Sequence, residues 1–179
     1  MSLVYEPEED SYLLESVIKK YCKNKSVLDM CTGTGILAKS ALDNGAKSVT
    51  AVDINKSALD SIKEEKIKKI RSSMFQKVKG KFDLIICNPP YLPKDKDEDK
   101  ESELATTGGD DGDEFILNFL DHVKPHLEKD GIILLLFSSL TPMDEINKKL
   151  EKEKLISKVI ASTKMFFEVL EVLEIKLSN

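Results

Sequence analysis

Two short segments of the chain concentrate the residues able to do chemistry. The first is Leu28-Asp29-Met30-Cys31-Thr32-Gly33-Thr34-Gly35, where a strand runs into a glycine-containing turn that opens a helix. Gly33 and Gly35 tolerate positive φ and let a ligand approach the backbone closely. Unpaired N–H groups at the helix start would attract anionic or hydrogen-bonding ligand atoms. The segment is not the dinucleotide fingerprint Gly-x-Gly-x-x-Gly, which would need glycine at Cys31 and at Ile36. Asp53 ends the next strand, 24 residues after Asp29, where a carboxylate can take both hydroxyls of a ribose. Its plainer alternative is a cap for the helix near Ser57, which Asn55 or Ser57 could provide equally well.

The second segment is Cys87-Asn88-Pro89-Pro90-Tyr91, after the apolar strand Phe82–Cys87. Two prolines end a hydrogen-bond ladder abruptly and leave a stiff backbone. The Asn88 oxygen and the Pro89 carbonyl could then accept both hydrogens of one planar –NH2 group, with its lone pair outward. Tyr91 adds an aromatic wall. His122 and His126 stand at helical i, i+4 spacing. No third ligand accompanies them, so they read as surface or packing histidines and no metal is expected.

These segments need a scaffold that places both at one edge. Short apolar runs at Ser26–Met30, Ser48–Ile54, Phe82–Cys87 and Gly131–Ser138 alternate with helical patterns. Two more runs, Leu155–Ile160 and Val169–Leu177, close the chain, and a weak seventh lies around Lys69–Phe75. The first helix repeats Leu14, Val17, Ile18 and Tyr21 on one face, with Asp10 or Ser11 as cap. Further helices are expected over Ile36–Asn44, Ser57–Ile70, Asp113–Leu127 and Met143–Lys154. The pattern predicts an α/β fold, a Rossmann-like and mostly parallel seven-stranded sheet with helices on both faces. The last strand alternates apolar and acidic residues, which predicts an antiparallel strand near an edge with one wet face.

The chain has 179 residues and a net charge of -5, which suits a single domain spanning 1–179. The acidic balance argues against bulk nucleic-acid binding. The basic run Lys63, Lys66, Lys68, Lys69 and Arg71 reads as a solvated helix face. Its longest apolar run, Ile132–Phe137, is too short to span a membrane. Three cysteines without a Cys-x-x-Cys pair, and no apolar leader, predict a cytoplasmic protein.

Asp29-x-x-Thr32-Gly33-x-Gly35, strand-end Asp53 and Asn88-Pro89-Pro90-Tyr91, in this order, resemble the class I S-adenosylmethionine-dependent methyltransferases. More narrowly the chain resembles the HemK family of protein-glutamine N5-methyltransferases. Val4-Tyr5-Glu6-Pro7-Glu8-Glu9-Asp10-Ser11 and Gly108-Gly109-Asp110-Asp111-Gly112-Asp113-Glu114-Phe115 resemble its short archaeal and eukaryotic branch. The resemblance implies S-adenosylmethionine as cofactor and a class I release factor as protein substrate, methylated at the glutamine of its Gly-Gly-Gln loop. A small zinc-binding activator subunit is implied as partner. Ser11 would lie by the methionine part of the cofactor, Asp29, Cys31, Gly33 and Gly35 in the cofactor loop, and Asp53 on the ribose. Asn88, Pro89, Pro90 and Tyr91 would form the catalytic corner, with Asn88 also facing the cofactor. Cys31 stands where the family has glycine. Ser73 stands where it has an acidic residue for the adenine amino group, which implies a weaker contact there or none.

Two other readings remain open on the sequence. The same corner could hold an exocyclic amine of adenine or guanine, with Tyr91 stacked on the base. Alternatively, a binding module could keep the fold without turnover. The weak strand Lys69–Phe75 is a candidate edge for an added partner strand. Lys94–Glu103 with Gly108–Gly112 is a candidate lid.

Overall fold

The computed structural model describes residues 7–91, 107–110 and 112–178. Segments Val4–Glu6 and Lys94–Glu103, and Asp111, lie outside the described residues, and so does the main part of the expected lid. Among the described residues the order is α1 (Glu9–Ile18), β1 (Ser26–Met30), α2 (Ile36–Asp43), β2 (Ser48–Asp53), α3 (Lys56–Ser61), β3 (Ile67–Arg71) and β4 (Phe82–Cys87). There follow α4 (Glu114–His122), a short 3-10 turn, β5 (Leu127–Ser138), α5 (Met143–Lys152), β6 (Leu155–Lys164) and β7 (Val169–Leu177).

The strands form one seven-stranded sheet in the order β3-β2-β1-β4-β5-β7-β6. Strands β3 to β5 are parallel throughout, with Val27 opposite both Val49 and Leu84. β7 runs antiparallel to β5 and to β6. Alternate side chains feed two cores, one on each face. Leu28, Ile85, Ile133 and Leu135 pack under α4 and α5 with Ile116, Phe119 and Ile146. Val27, Leu84, Ile86, Leu134 and Leu136 pack under α1 and α2 with Leu14, Ile18, Leu37 and Ala41. Double coverage explains why these strands read as unbroken apolar runs.

Three sequence expectations are corrected. The helix expected over Ser57–Ile70 stops at Ser61, and Ile67–Arg71 is instead the edge strand β3. Ile62 and Ile67 still pack in the α1–α2 core, so the apolar spacing was real and its period was misread. The basic run therefore leads into and lines a sheet edge. Phe75 is not on that edge: it is 7% exposed, tilted against Phe119 and stacked on His126. β7 lies one strand in from the edge, inside β6, as expected, but the wet face expected of it is not found at its central acidic residue. Its acidic Glu174 is 6% exposed, receives the Tyr21 hydroxyl at 2.7 Å, and meets Lys176 at 2.8 Å and Lys158 at 3.2 Å. Acidic alternation here marks a paired buried charge, because burial without partners would be costly.

The chain leaves β1 toward β2 and β3 on one side, and reaches β4 and β5 on the other. The C-terminal ends of β1 and β4 thus flank the switch point where open α/β sheets bind ligands. Both chemistry-bearing segments emerge there.

Candidate functional site

β4 pairs with β5 as far as Cys87 opposite Leu135. Asn88 follows, and the two prolines have no N–H with which to continue the ladder. Pro89 is buried, while Asn88, Pro90 and Tyr91 are half-buried. The Asn88 Nδ2 donates to Asp10 Oδ2 at 3.1 Å and to Ser11 Oγ at 3.3 Å. Its Oδ1 is buried and has no partner. The other buried side-chain polar atoms without a partner, among the described residues, are Asp29 Oδ1 and Thr141 Oγ1. Asp29 lies on β1, Asn88 just beyond β4 and Thr141 three residues beyond β5, so all three gather at the C-terminal end of the parallel strands. An orphaned buried acceptor costs about 1–3 kcal/mol, and three at one end of the sheet make that end the candidate ligand-binding edge.

The glycine turn is braced from below. Asp29, fully buried, accepts from Thr32 Oγ1 at 2.6 Å and from Ala38 N at 3.0 Å. The second contact caps α2, whose N-cap is Gly35 and offers no side-chain acceptor. Burial pushes the Asp29 carboxyl up to about 7, only partly offset by these bonds. Asp53 reaches across from β2: its Oδ2 accepts from Gly33 N at 2.9 Å and its Oδ1 from Asn55 N at 2.8 Å. Asn55, not Asp53, caps α3 by accepting from Ser57 N. Burial raises the Asp53 carboxyl as well, opposed by hydrogen bonds from Asn55, Gly33 and Ile54.

Two backbone positions show why the turn needs its sequence. Gly35 has φ of 82°, and a Cβ there would come within 2.6 Å of Ile62. Cys31 has φ of 60°, a left-handed conformation that favours glycine. The glycine expected there on the resemblance is thus replaced by a residue in glycine's own conformation. Cys31 also lies near Cys87, whose thiol is pushed up by burial, by Cys31 and by the nearby Asp29.

Ser11 sits in the first turn of α1, 3% exposed, facing Asn88. The cap of α1 is Glu8, without a side-chain bond, so neither Asp10 nor Ser11 plays the capping role expected of them. Ser73 is exposed beyond β3, next to Ser72, whose N–H donates to the Asp53 carbonyl at 3.0 Å. The glycine run touches the corner, since a Cβ on Gly108 would lie 2.8 Å from the Pro90 carbonyl oxygen. Tyr91 is pushed up by burial and by Asp10, Glu168 and Glu8, so it remains a neutral phenol. His122 hydrogen-bonds to the Asn118 carbonyl and His126 to that of Gly80.

Sequence reasoning missed Asp10, Thr32, Glu168 and Thr141 as site residues. Asp10 lies 78 residues from Asn88, and no local pattern joins them. Thr32 was legible as part of the turn, but its bond to Asp29 needs the fold. Glu168 belongs to the hairpin between β6 and β7, where it receives the Ser138 hydroxyl.

Residues 7–171 match the family described as methyltransferase small domain. A protein of Methanocaldococcus jannaschii, named as a candidate protein N5-glutamine methyltransferase, is 39% identical over 178 residues, covering 95% of this chain and 90% of that one. The release factor glutamine methyltransferase of Borreliella burgdorferi is 34% identical over 125 residues, covering 62% of this chain and 44% of that protein. Bacterial relatives of similar identity are named for a glutamine of ribosomal protein uL3, and the chain again spans less than half of them. Among solved structures, the E. cuniculi Mtq2-Trm112 complex, responsible for methylation of the eRF1 translation termination factor, has a TM-score of 0.81 at 26% identity. It covers 98% of this chain and 99% of the matched one.

Proposed function

We infer the reaction from one premise: the chain belongs to the methyltransferase small domain family. It is an S-adenosylmethionine-dependent methyltransferase that methylates the side-chain nitrogen of a protein glutamine, in the Gly-Gly-Gln loop of a class I release factor. The observation that carries this reading is the buried, partnerless Asn88 Oδ1 beside a proline-stiffened backbone. An acceptor held at that place, with no donor of its own, suits one N–H of a carboxamide.

The cofactor's fit rests on the turn. Its positive-φ glycines, the orphaned Asp29 Oδ1 and the strand-end Asp53 offer a backbone cradle, an anionic acceptor and a diol acceptor. Ser11, Asp29, Cys31, Gly33, Gly35, Asp53 and Ser73 would hold it, and it supplies an electrophilic methyl group on a sulfonium. The protein's residues do the rest. An amide nitrogen is a weak nucleophile because its lone pair is conjugated. Asn88 Oδ1 and the Pro89 carbonyl accept its two hydrogens, which favours the pyramidal nitrogen and aims the lone pair. Tyr91 closes one side of the corner, and Pro90 keeps the backbone stiff. The aimed nitrogen would take up the methyl group that the cofactor supplies, and one amide proton would then leave to solvent. Holding the two reactants in line can supply up to about 7–11 kcal/mol, so no general base is required before transfer.

A small partner subunit fits the edge strand β3, whose residues Lys68, Lys69 and Arg71 are exposed and whose outer backbone is open for strand addition. Whether that subunit carries zinc belongs to the partner's chemistry. Three cysteines without a disulfide among them suit a reducing compartment such as the cytoplasm. No helix among the described residues is long and apolar enough to cross a membrane.

The test is a methylation assay with labelled cofactor on release factor, bare tRNA and DNA. Label in the release factor glutamine supports the reading; label in nucleic acid alone overturns it. Calorimetry with S-adenosylmethionine separates enzyme from binding module, because a module would bind none, with or without a partner.

A further inference from the structure

We propose that Asp10 is the positioning residue that fixes the polarity of the acceptor site, locking Asn88 with its oxygen toward the substrate and its nitrogen away. The inference rests on reading Asn88 as the group that receives the methyl-acceptor amide.

A carboxamide has two orientations of nearly identical shape, related by a half turn about its last bond. In one, Asn88 offers an acceptor to the substrate; in the other it offers a donor and rejects an incoming –NH2. Local packing by shape cannot choose between them. Two neighbours touch the Asn88 amide: the Ser11 hydroxyl at 3.3 Å and the Asp10 carboxylate at 3.1 Å. A hydroxyl donates or accepts with equal ease, so Ser11 leaves the choice open. An ionised carboxylate only accepts, so Asp10 admits Nδ2 and repels Oδ1. Oδ1 must then occupy the opposite side, where it is buried without a partner.

The helix that carries Asp10 explains why a carboxylate is tolerated at 4% exposure. Asp10 is the second residue of α1, within the first turn, where unpaired N–H groups favour negative charge. Its Oδ1 accepts from the Ser11 N–H at 2.5 Å, which leaves Oδ2 for Asn88. The negative charge of Asp10 also helps keep the Tyr91 phenol protonated. The substrate side is left rich in acceptors, so the site selects groups with two N–H donors and rejects a glutamate carboxylate of the same length.

Asp10→Asn tests the assignment with almost no change in shape. It removes the obligatory acceptor, because an asparagine can present either atom to Asn88. Turnover number on a Gly-Gly-Gln peptide should fall by roughly 100-fold, the low end for losing one preorganised hydrogen bond. Calorimetric affinity for S-adenosylmethionine should stay within about twofold, as expected of a group that acts on the acceptor only. A second readout needs no substrate. The Asn88 side-chain NH2 signals, assigned by their loss in Asn88→Ala, should exchange slowly with solvent in the unsubstituted protein and rapidly in Asp10→Asn. Unchanged turnover, or unchanged exchange, in a folded Asp10→Asn protein overturns the proposal. If Asp10→Asn does not fold, the unsubstituted protein decides: slow exchange supports the lock, and exchange as fast as at a surface asparagine overturns it. Should the unsubstituted protein methylate no glutamine at all, the functional reading fails while the exchange measurement still judges Asp10.

Discussion

At the scale of single residues, the site as proposed works by leaving chosen atoms unpaired. Asn88 keeps Oδ1 without a partner while Nδ2 is doubly engaged. Asn88→Ala should therefore lower turnover by about 100-fold or more, measured with saturating cofactor, while thermal stability changes little. Asp29 has a different part: it holds the glycine turn and caps α2 from a fully buried position. Its carboxyl rises from 3.8 to about 7 on folding, so the folded state binds this proton more tightly than the unfolded chain does. The associated stability is complete below the unfolded value and is lost as pH rises through about 7. Urea midpoints at pH 4.5 and pH 8 should therefore differ less in Asp29→Asn than in the unsubstituted protein; an equal difference would assign the pH dependence elsewhere. Asp29, Gly33, Gly35, Asp53 and the Asn-Pro-Pro-Tyr corner were legible in the sequence because strand, turn and helix follow one another locally. Asp10 was not, because its role depends on a contact across the fold that no residue spacing records.

At the scale of elements, the glycine turn and its neighbours are one packed unit. Ile62, the residue just after α3, lies over Gly35 so closely that a Cβ there would come to 2.6 Å, at a φ of 82°. Gly35→Ala should destabilise by about 2 kcal/mol or more and weaken cofactor affinity, read from urea midpoints and calorimetry. Cys31 bears a milder version of the same backbone strain at φ of 60°. The region after Asp53 shows where sequence reasoning failed. Ile62 and Ile67 fit a helix period, yet a strand won because pairing Ile67–Arg71 with β2 extends the sheet. Phe75 followed from that error. It is core packing against Phe119, so Phe75→Asp should cost at least about 3 kcal/mol and says nothing about an edge. The edge itself is testable by hydrogen exchange: β3 amides should slow when the small subunit is added, and unchanged β3 exchange in a formed complex would place the partner elsewhere. β7 was read correctly in direction and in lying near an edge, and wrongly in its wet face, because Glu174 looked like a solvent residue and is instead paired within the fold.

At the scale of the molecule, the sheet order puts the ends of β1 and β4 side by side. The α/β class, the parallel core and the antiparallel last strand could be read from alternating patterns, since each helix and strand buries an apolar face. Substrate choice could not be read that way. The net charge of -5 fits a protein substrate better than a polyanion. The decisive measurement is mass spectrometry of the host's class I release factor, isolated with and without this chain's gene. One added methyl group on the Gly-Gly-Gln glutamine, present with the gene and absent without it or with Asn88→Ala, is the result expected. A release factor whose glutamine is identical in both hosts would contradict the account.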